Sequence, residues 1–457
     1  MDAFVIGIVL YILIQFGIGV WVSRLVHTES DYLIAGRRLG LVLGSFSIFA
    51  TWFGAETVIG AAGAIYEEGI AGGSADPFGY VLCIFLMGLL FAAPLWRRGY
   101  TTFADLFRDR YSPLVERVAI LLLVPPSVIW AAAQIRAFGQ VLSSATELDI
   151  GWAMTTATML VIAYTAVGGL LADAWTDLVQ GIALIVGLVI IGWSVWSRGE
   201  IHFSLAMLPP ERLAFGGGPE SAWYEISEAW AIPALGSVFA VELISRVLAC
   251  RSASTARNAC LLGGAIYLAV GIIPVMLGLF GPQLHPNLSE PEQLLPILAK
   301  KHLGPVFFVM FSGALISAIL STVDSALLSA SALLSHNLLM PAFPQLGDRN
   351  KVLLSRLSVA VLGLIAYVIA IYSTTIFELV QTASAFGSSG IVVTACFGLG
   401  TRFGGPRSAM AALVTGLVVW QLGDMIIHWP APFLVSLAAS ALAYVCLALG
   451  QPAAGRP

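Results

Sequence analysis

The sequence predicts an all-α integral membrane protein of about thirteen transmembrane helices, folded as one transporter-like domain over residues 1–457. Three observations predict it. Hydrophobic residues make up 58% of the chain and charged residues 11%, with a mean hydropathy of +0.91, outside the range of soluble domains. Apolar runs near the roughly 20 residues that cross a bilayer recur along the whole length. Two of those runs, the second and the seventh, are interrupted by glycine or proline. They lie five spans apart, the spacing of an inverted five-helix repeat with its binding site at the midplane.

In order, the spans fall at 3–23, 40–65, 75–95, 117–142, 151–170, 174–197, 223–248, 258–281, 304–336, 352–373, 375–400, 405–428 and 430–450. The first repeat covers 40–197 and the second 223–400, leaving 1–39 and 401–457 as peripheral helices. The run Phe4 to Val22 has no basic leader region or clear cleavage site and is long enough to span, so it reads as a retained helix. Placing the N-terminus outside puts Arg24, Arg37, Arg38, Arg97, Arg98, Arg108, Arg110, Arg251, Arg257, Arg349, Lys351, Arg402 and Arg407 on cytoplasmic loops. The outer side then receives only Arg198, Arg212, Lys300 and Lys301, together with Glu67, Glu68, Glu147 and Asp149. That asymmetry predicts a multi-pass protein of the plasma or inner membrane, N-terminus out and C-terminus in.

Between the spans, Tyr100 to Tyr111 reads as a short amphipathic helix, with Thr102 and Asp105 at capping-box spacing. Ser289-Glu-Pro-Glu292 opens another, running to Lys301 on the outer loop before the ninth span. Loop 198–222 reads as external, and its Gly216–Gly218 triplet precedes no strand-to-helix turn that would make it a phosphate loop. Four spans carry breaks: Gly54 with Glu56 in the second, Pro125-Pro126 in the fourth, Pro233 and Gly236 in the seventh, and Phe386-Gly-Ser-Ser-Gly390 in the eleventh. Such residues release carbonyls that lipid cannot satisfy but a cation or polar cavity can.

The ninth span contradicts its own hydropathy. Ser317, Ser321, Ser325 and Ser329 recur every four residues on one helix face, with Asp324 beside them. A carboxylate at that depth costs roughly 2.5–3.5 kcal/mol on insertion scales. An oxygen-rich, nitrogen-poor lining suits a hard monovalent or divalent cation rather than a transition metal. The competing reading is that the hydroxyls bond back to their own helix. Arg136 reads as snorkelling outward from the fourth span, with pairing to an acid open, and Arg246 and Arg251 as topology anchors ending the seventh.

Several segments resemble the sodium:solute symporter family: Ser30-Asp-Tyr-Leu-Ile-Ala-Gly-Arg-Arg38, Gly168-Gly169 followed by Trp175-Thr-Asp-Leu-Val-Gln180, and Ser321-Thr-Val-Asp-Ser-Ala326. The resemblance extends over roughly residues 3–450. It implies a LeuT-type fold and uptake of a solute driven by sodium, the coupling ion, with no other cofactor. It also implies a sodium cage of three carbonyls and two hydroxyls on Ala50, Phe53, Ala318, Ser321 and Thr322. Asp177 matches a position where relatives place a second cation, met here by Asp324 and Ser325. Two carboxylates close together need a bridging cation or a proton, and the alternative is that Asp177 caps the sixth span.

Trp52, Glu56, Tyr80 and Trp130 are the candidate solute residues. Ala50-Thr-Trp-Phe-Gly54, Gly79-Tyr80 and Trp130-Ala-Ala-Ala133 look most like the choline-transporter branch, in which the matching aromatics surround a quaternary ammonium. Two departures stand out: Phe239-Ala-Val-Glu242 where that branch supplies a further tryptophan, and Glu56 where it has glycine. They point toward a smaller amine or an amino acid. Simple helix packing by these aromatics is the competing reading.

The expected activity is symport of a small polar solute (an amine, quaternary ammonium compound or amino acid) by alternating access. A solute sensor or channel-like protein of the same fold is the alternative. An enzyme is not expected: the six histidines, His27, His202, His285, His302, His336 and His428, are scattered without paired-ligand spacing. The five cysteines show no CxxC pair, and nothing points to nucleic acid.

Overall fold

The computed structural model describes residues 3–54, 56–146, 149–199, 204–215, 221–373 and 376–450; Glu147, His202 and Gly216–Gly218 lie outside them. Among the described residues, ten helical segments are long and apolar enough to cross a membrane, and Leu13–Ser23, Leu41–Trp52 and Ile150–Ala163 are shorter apolar stretches. The fold is all-α and of LeuT type, with the inverted-repeat architecture that the two broken spans foreshadow.

The chain opens with α1 (Ala3–Ser23) and α2 (Glu29–Ile34). Thr28 and Asp31 form a reciprocal capping box at the start of α2. The second span is two pieces, α3 (Leu41–Trp52) and α4 (Ala62–Glu68), joined through a wide turn at Glu56–Ala61. The third is α5 (Tyr80–Leu86) continuing through Met87–Phe91 into α6 (Ala92–Arg97). After α7 (Ala104–Arg110), α8 (Pro113–Thr146) runs unbroken through Pro125 and Pro126. The break expected at that proline pair is therefore absent, consistent with the tolerance of proline in helices packed inside a bundle.

The fifth and sixth spans form one element, α9 (Ile150–Ser197), folded sharply at Gly169, whose φ is +65° and ψ 180°. Next come α10 (Trp223–Ala231) and α11 (Val241–Ala249), the halves of the broken seventh span, then α12 (Ala253–Leu279) and α13 (Gly281–Leu284). The predicted outer-loop helix is a turn at Pro291–Gln293 leading into α14 (Leu294–His302). The polar ninth span is α15 (Pro305–Ala332). It is followed by α16 (Asp348–Tyr372), α17 (Ile376–Ala385), α18 (Ser388–Gly400), α19 (Pro406–Gln421) and α20 (Pro432–Leu449). The break between α17 and α18 falls at Gly387, φ +66°, as its glycine-rich sequence predicts.

Small residues set how close the helices come. A Cβ on Gly263 of α12 would lie 2.9 Å from the Ser45 carbonyl of α3, and one on Gly278 would lie 2.5 Å from that of Ala62 at the start of α4. One straight helix thus holds both halves of the broken span by backbone contact, the usual means of helix association in lipid. Helix α15 packs between α8 and α9, so its polar face is turned inward.

Candidate functional site

Where α3 ends, Phe53 leaves the helical region (φ −84°, ψ 79°), and the amide of Gly54 donates to the Trp52 carbonyl at 3.1 Å. In an uninterrupted helix that amide would bond to Ala50, so the break releases the Ala50 carbonyl from its helical donor. Asp76 secures the break: it accepts from the hydroxyls of Thr57 (2.7 Å) and Tyr267 (2.9 Å), and the Tyr267 oxygen lies 3.2 Å from the Trp52 carbonyl. Neither residue stood out in the sequence; a lone aspartate before Pro77 in an otherwise apolar stretch was the available signal.

The serine face of α15 meets α9 and α11. Ser317 accepts from Gln180 at 2.7 Å. Ser321 donates toward Asp177 at 2.6 Å and lies 3.1 Å from Asp173. Ser325 donates to Asp173 at 3.0 Å, and Ser329 is 3.2 Å from Ser245. Ser47 of α3 donates to the other oxygen of Asp177 at 2.8 Å. These hydroxyls bond to neighbouring helices, whereas Thr322 does bond back, donating to the Ala318 carbonyl at 3.0 Å. A Cβ on Gly54 would sit 3.7 Å from the Thr322 hydroxyl, so the break in α3 faces the pair Ser321–Thr322. Ala50, Phe53, Ala318, Ser321 and Thr322 are all buried there.

Around the expected second-cation grouping of Asp177, Asp324 and Ser325, the structure places two further charged groups. Ser325 is engaged not with Asp177 but with Asp173 and with the guanidinium of Arg246, which also bonds to Asp173. Arg246 and Asp173 are fully buried, so Arg246 is no surface anchor. Its guanidinium turns inward to that carboxylate, while Leu39 pairs with the end of α11 through bonds to the Ala249 carbonyl and from the Arg251 amide. Asp324 faces Thr165, and its Oδ1 has no hydrogen-bond partner among the described residues. Asp173, four residues before Asp177 in a near-apolar run, is the carboxylate the sequence reading missed. Arg136 donates to the Ala370 carbonyl of α16 at 3.2 Å, a contact to a neighbouring helix rather than to water.

A cavity of about 70 Å³ lies against the break, room for roughly five waters at ~10–15 Å³ each. Trp52, Tyr80 and Trp130 line it, the rings of Trp52 and Tyr80 5.3 Å apart and those of Tyr80 and Trp130 6.3 Å apart. Thr322 lines it too, as do Phe239 and Glu242 from the broken seventh span. Glu56 does not. Its carboxylate is bonded by Gln134 of α8 and lies near enough to Tyr80 to interact with it electrostatically, without reaching the cavity surface. The wide turn at Glu56–Ala61 carries it there, a rotation that regular helix spacing between Trp52 and Glu56 does not anticipate.

The chain resembles the high-affinity choline transporter 1 of Drosophila melanogaster, 29% identical over 395 residues, covering 82% of this chain and 63% of that protein. Its resemblance to the high affinity choline transporter 1 of Homo sapiens is 29% over 401 residues, covering 82% and 68%. The chain thus spans about two thirds of the length of these relatives. Among solved structures it superposes on a sodium-coupled sialic acid symporter with a TM-score of 0.85 at 14% identity, covering 100% of this chain and 99% of the other. The sequence profile of the sodium:solute symporter family matches residues 32–416. The chain therefore belongs to the sodium:solute symporter family, a family of sodium-coupled secondary transporters of small solutes and not of enzymes.

Proposed function

We propose that this protein imports a small ammonium-bearing solute together with sodium, by alternating access. The observation carrying this reading is that Thr322, a candidate sodium ligand, lines the same cavity as Trp52, Tyr80 and Trp130. Sodium held by carbonyls of Ala50, Phe53 and Ala318 and hydroxyls of Ser321 and Thr322 would pin α15 against the broken end of α3. That same broken end carries Trp52, so ordering it for sodium also sets one wall of the solute site. An aromatic face attracts a desolvated cation by about 2 kcal/mol or more, which favours an ammonium over a neutral sugar. The similarity to choline transporters supports the same chemical class.

The buried Arg246 offers a positive charge where a second coupling cation was anticipated, which favours a single sodium per cycle. Asp177 then polarises Ser321, because a hydroxyl that donates to a carboxylate presents a more negative oxygen to the ion. The basic-residue asymmetry of the loops supports uptake with the N-terminus outside.

Sodium-dependent counterflow in proteoliposomes tests the proposal. Labelled choline or ethanolamine exchanging only when sodium is present on both faces is the expected result, with a sodium Hill coefficient near one. Exchange of either that ignores sodium would refute coupling, and binding without exchange would favour a sensor.

A further inference from the structure

We propose that Glu242 is the counter-ion of the transported solute, and that the solute is a cationic amine with at least one N–H and no balancing carboxylate. This deepens the reading just given and rests on the cavity being the solute site. Glu242 occupies the second position of α11, immediately beyond the break in the seventh span, and lines the cavity with Trp52, Tyr80 and Trp130. Its Oε1 accepts a 2.5 Å hydrogen bond from Ser127, one turn before Trp130 on α8, so the carboxylate is oriented from the aromatic side. The nearest cation on its own helix, Arg246, is committed elsewhere. That guanidinium pairs with Asp173 and reaches only the backbone carbonyl of Glu242, at 3.4 Å.

Glu242 is the single formally charged side chain among the described residues lining the cavity; no lysine, arginine or histidine joins it. A lone carboxylate in a low-dielectric cavity favours a guest of opposite charge. Two further constraints narrow that guest. An N–H pointed at a carboxylate makes a charge-assisted hydrogen bond, roughly twice as strong as a neutral one. A quaternary ammonium, wrapped in methyl groups, can make none. A solute carboxylate, in turn, would meet no basic side chain in the lining. It would also find the positive end of the α11 dipole already complemented by Glu242 in its first turn.

Four probes isolate these features: ethanolamine, its dimethylated form, choline (all N–H replaced by methyl) and serine (ethanolamine bearing a carboxylate). Their affinities are read by calorimetry on the purified full chain with sodium present. Ethanolamine or its dimethylated form is expected to bind at least tenfold tighter than choline and serine. Glu242→Gln should abolish that preference, lowering amine affinity tenfold or more while changing choline severalfold at most, and Glu242→Asp should retain part of it. Cooperative melting and sodium-dependent stabilisation check that each variant is folded. Choline binding as tightly as the N–H amines and indifferent to Glu242→Gln overturns the assignment of Glu242 but leaves the aromatic reading standing. If none of the amines binds, both fall.

Discussion

At the scale of single residues, the two adjacent hydroxyls at Ser321 and Thr322 have separable roles. Thr322 bonds only to the Ala318 carbonyl of its own helix, so Thr322→Val should leave the fold intact. Losing one oxygen ligand is expected to weaken sodium about tenfold, roughly 1.4 kcal/mol, near the net worth of one hydrogen bond. The shift in sodium dependence of thermal stability measures it. Ser321→Ala should cost more, because the buried Asp177 loses a hydroxyl donor as well. Trp52→Leu should reduce amine affinity by about tenfold, in keeping with a cation–π loss of up to ~2 kcal/mol, while sodium alone still stabilises the variant. At this scale the sequence was legible where chemistry repeats, as in the serines every fourth residue and the tryptophans. It was silent where a side chain's direction decides. Glu56 and Glu242 are both acids beside broken spans, and only the turn geometry sends one to Gln134 and the other into the cavity.

At the scale of elements, the bundle is held where α9, α11 and α15 exchange buried charge. Asp173→Asn leaves the Arg246 guanidinium without its carboxylate in the interior and is expected to destabilise the protein by roughly 3–5 kcal/mol. The double variant Asp173→Asn with Arg246→Met should lose less, because no unpaired charge remains; melting in detergent distinguishes the two. Gly169 makes the fold in α9 at a backbone conformation that essentially only glycine adopts. A Cβ there would approach Tyr32 to 2.9 Å. Gly169→Ala should therefore sharply reduce the yield of folded protein, seen as loss of the monodisperse peak in size-exclusion chromatography. At the start of α2, burial opposes ionisation of Asp31. The Thr28 hydroxyl, the amides of His27 and Thr28, and Arg38 outweigh it and hold the carboxyl below its ordinary value. A depressed acid contributes stability above its unfolded value near 4 and loses it as pH falls through the folded one. Asp31→Asn should accordingly flatten the pH dependence of melting below about pH 4.

For the whole molecule, the proposed sodium and solute sites share one broken helix, so each is expected to bind better when the other is present. Linkage makes the two effects equal: the factor by which saturating sodium lowers the solute Kd equals the factor by which saturating solute lowers the sodium Kd. A coupling of about 5–150-fold is the usual range. Calorimetric titrations in both orders should return the same factor, and a factor of one would refute coupling between the two sites. The inverted repeat would give that coupling its geometry, because the broken second and seventh spans both line the cavity, with Trp52 from one and Glu242 from the other.

The sequence by itself determined the membrane class, the approximate spans, the two breaks that matter and the polar face of the ninth span. Each of these is written in local composition or helical period, which need no knowledge of neighbours. Tertiary structure decided the rest. It set Glu242 rather than Glu56 on the cavity surface, buried Arg246 and gave it to Asp173, and kept the fourth span helical through two prolines. Those outcomes depend on which face of one helix meets which face of another. In a bundle with so little charge, a single buried partner outweighs every local preference.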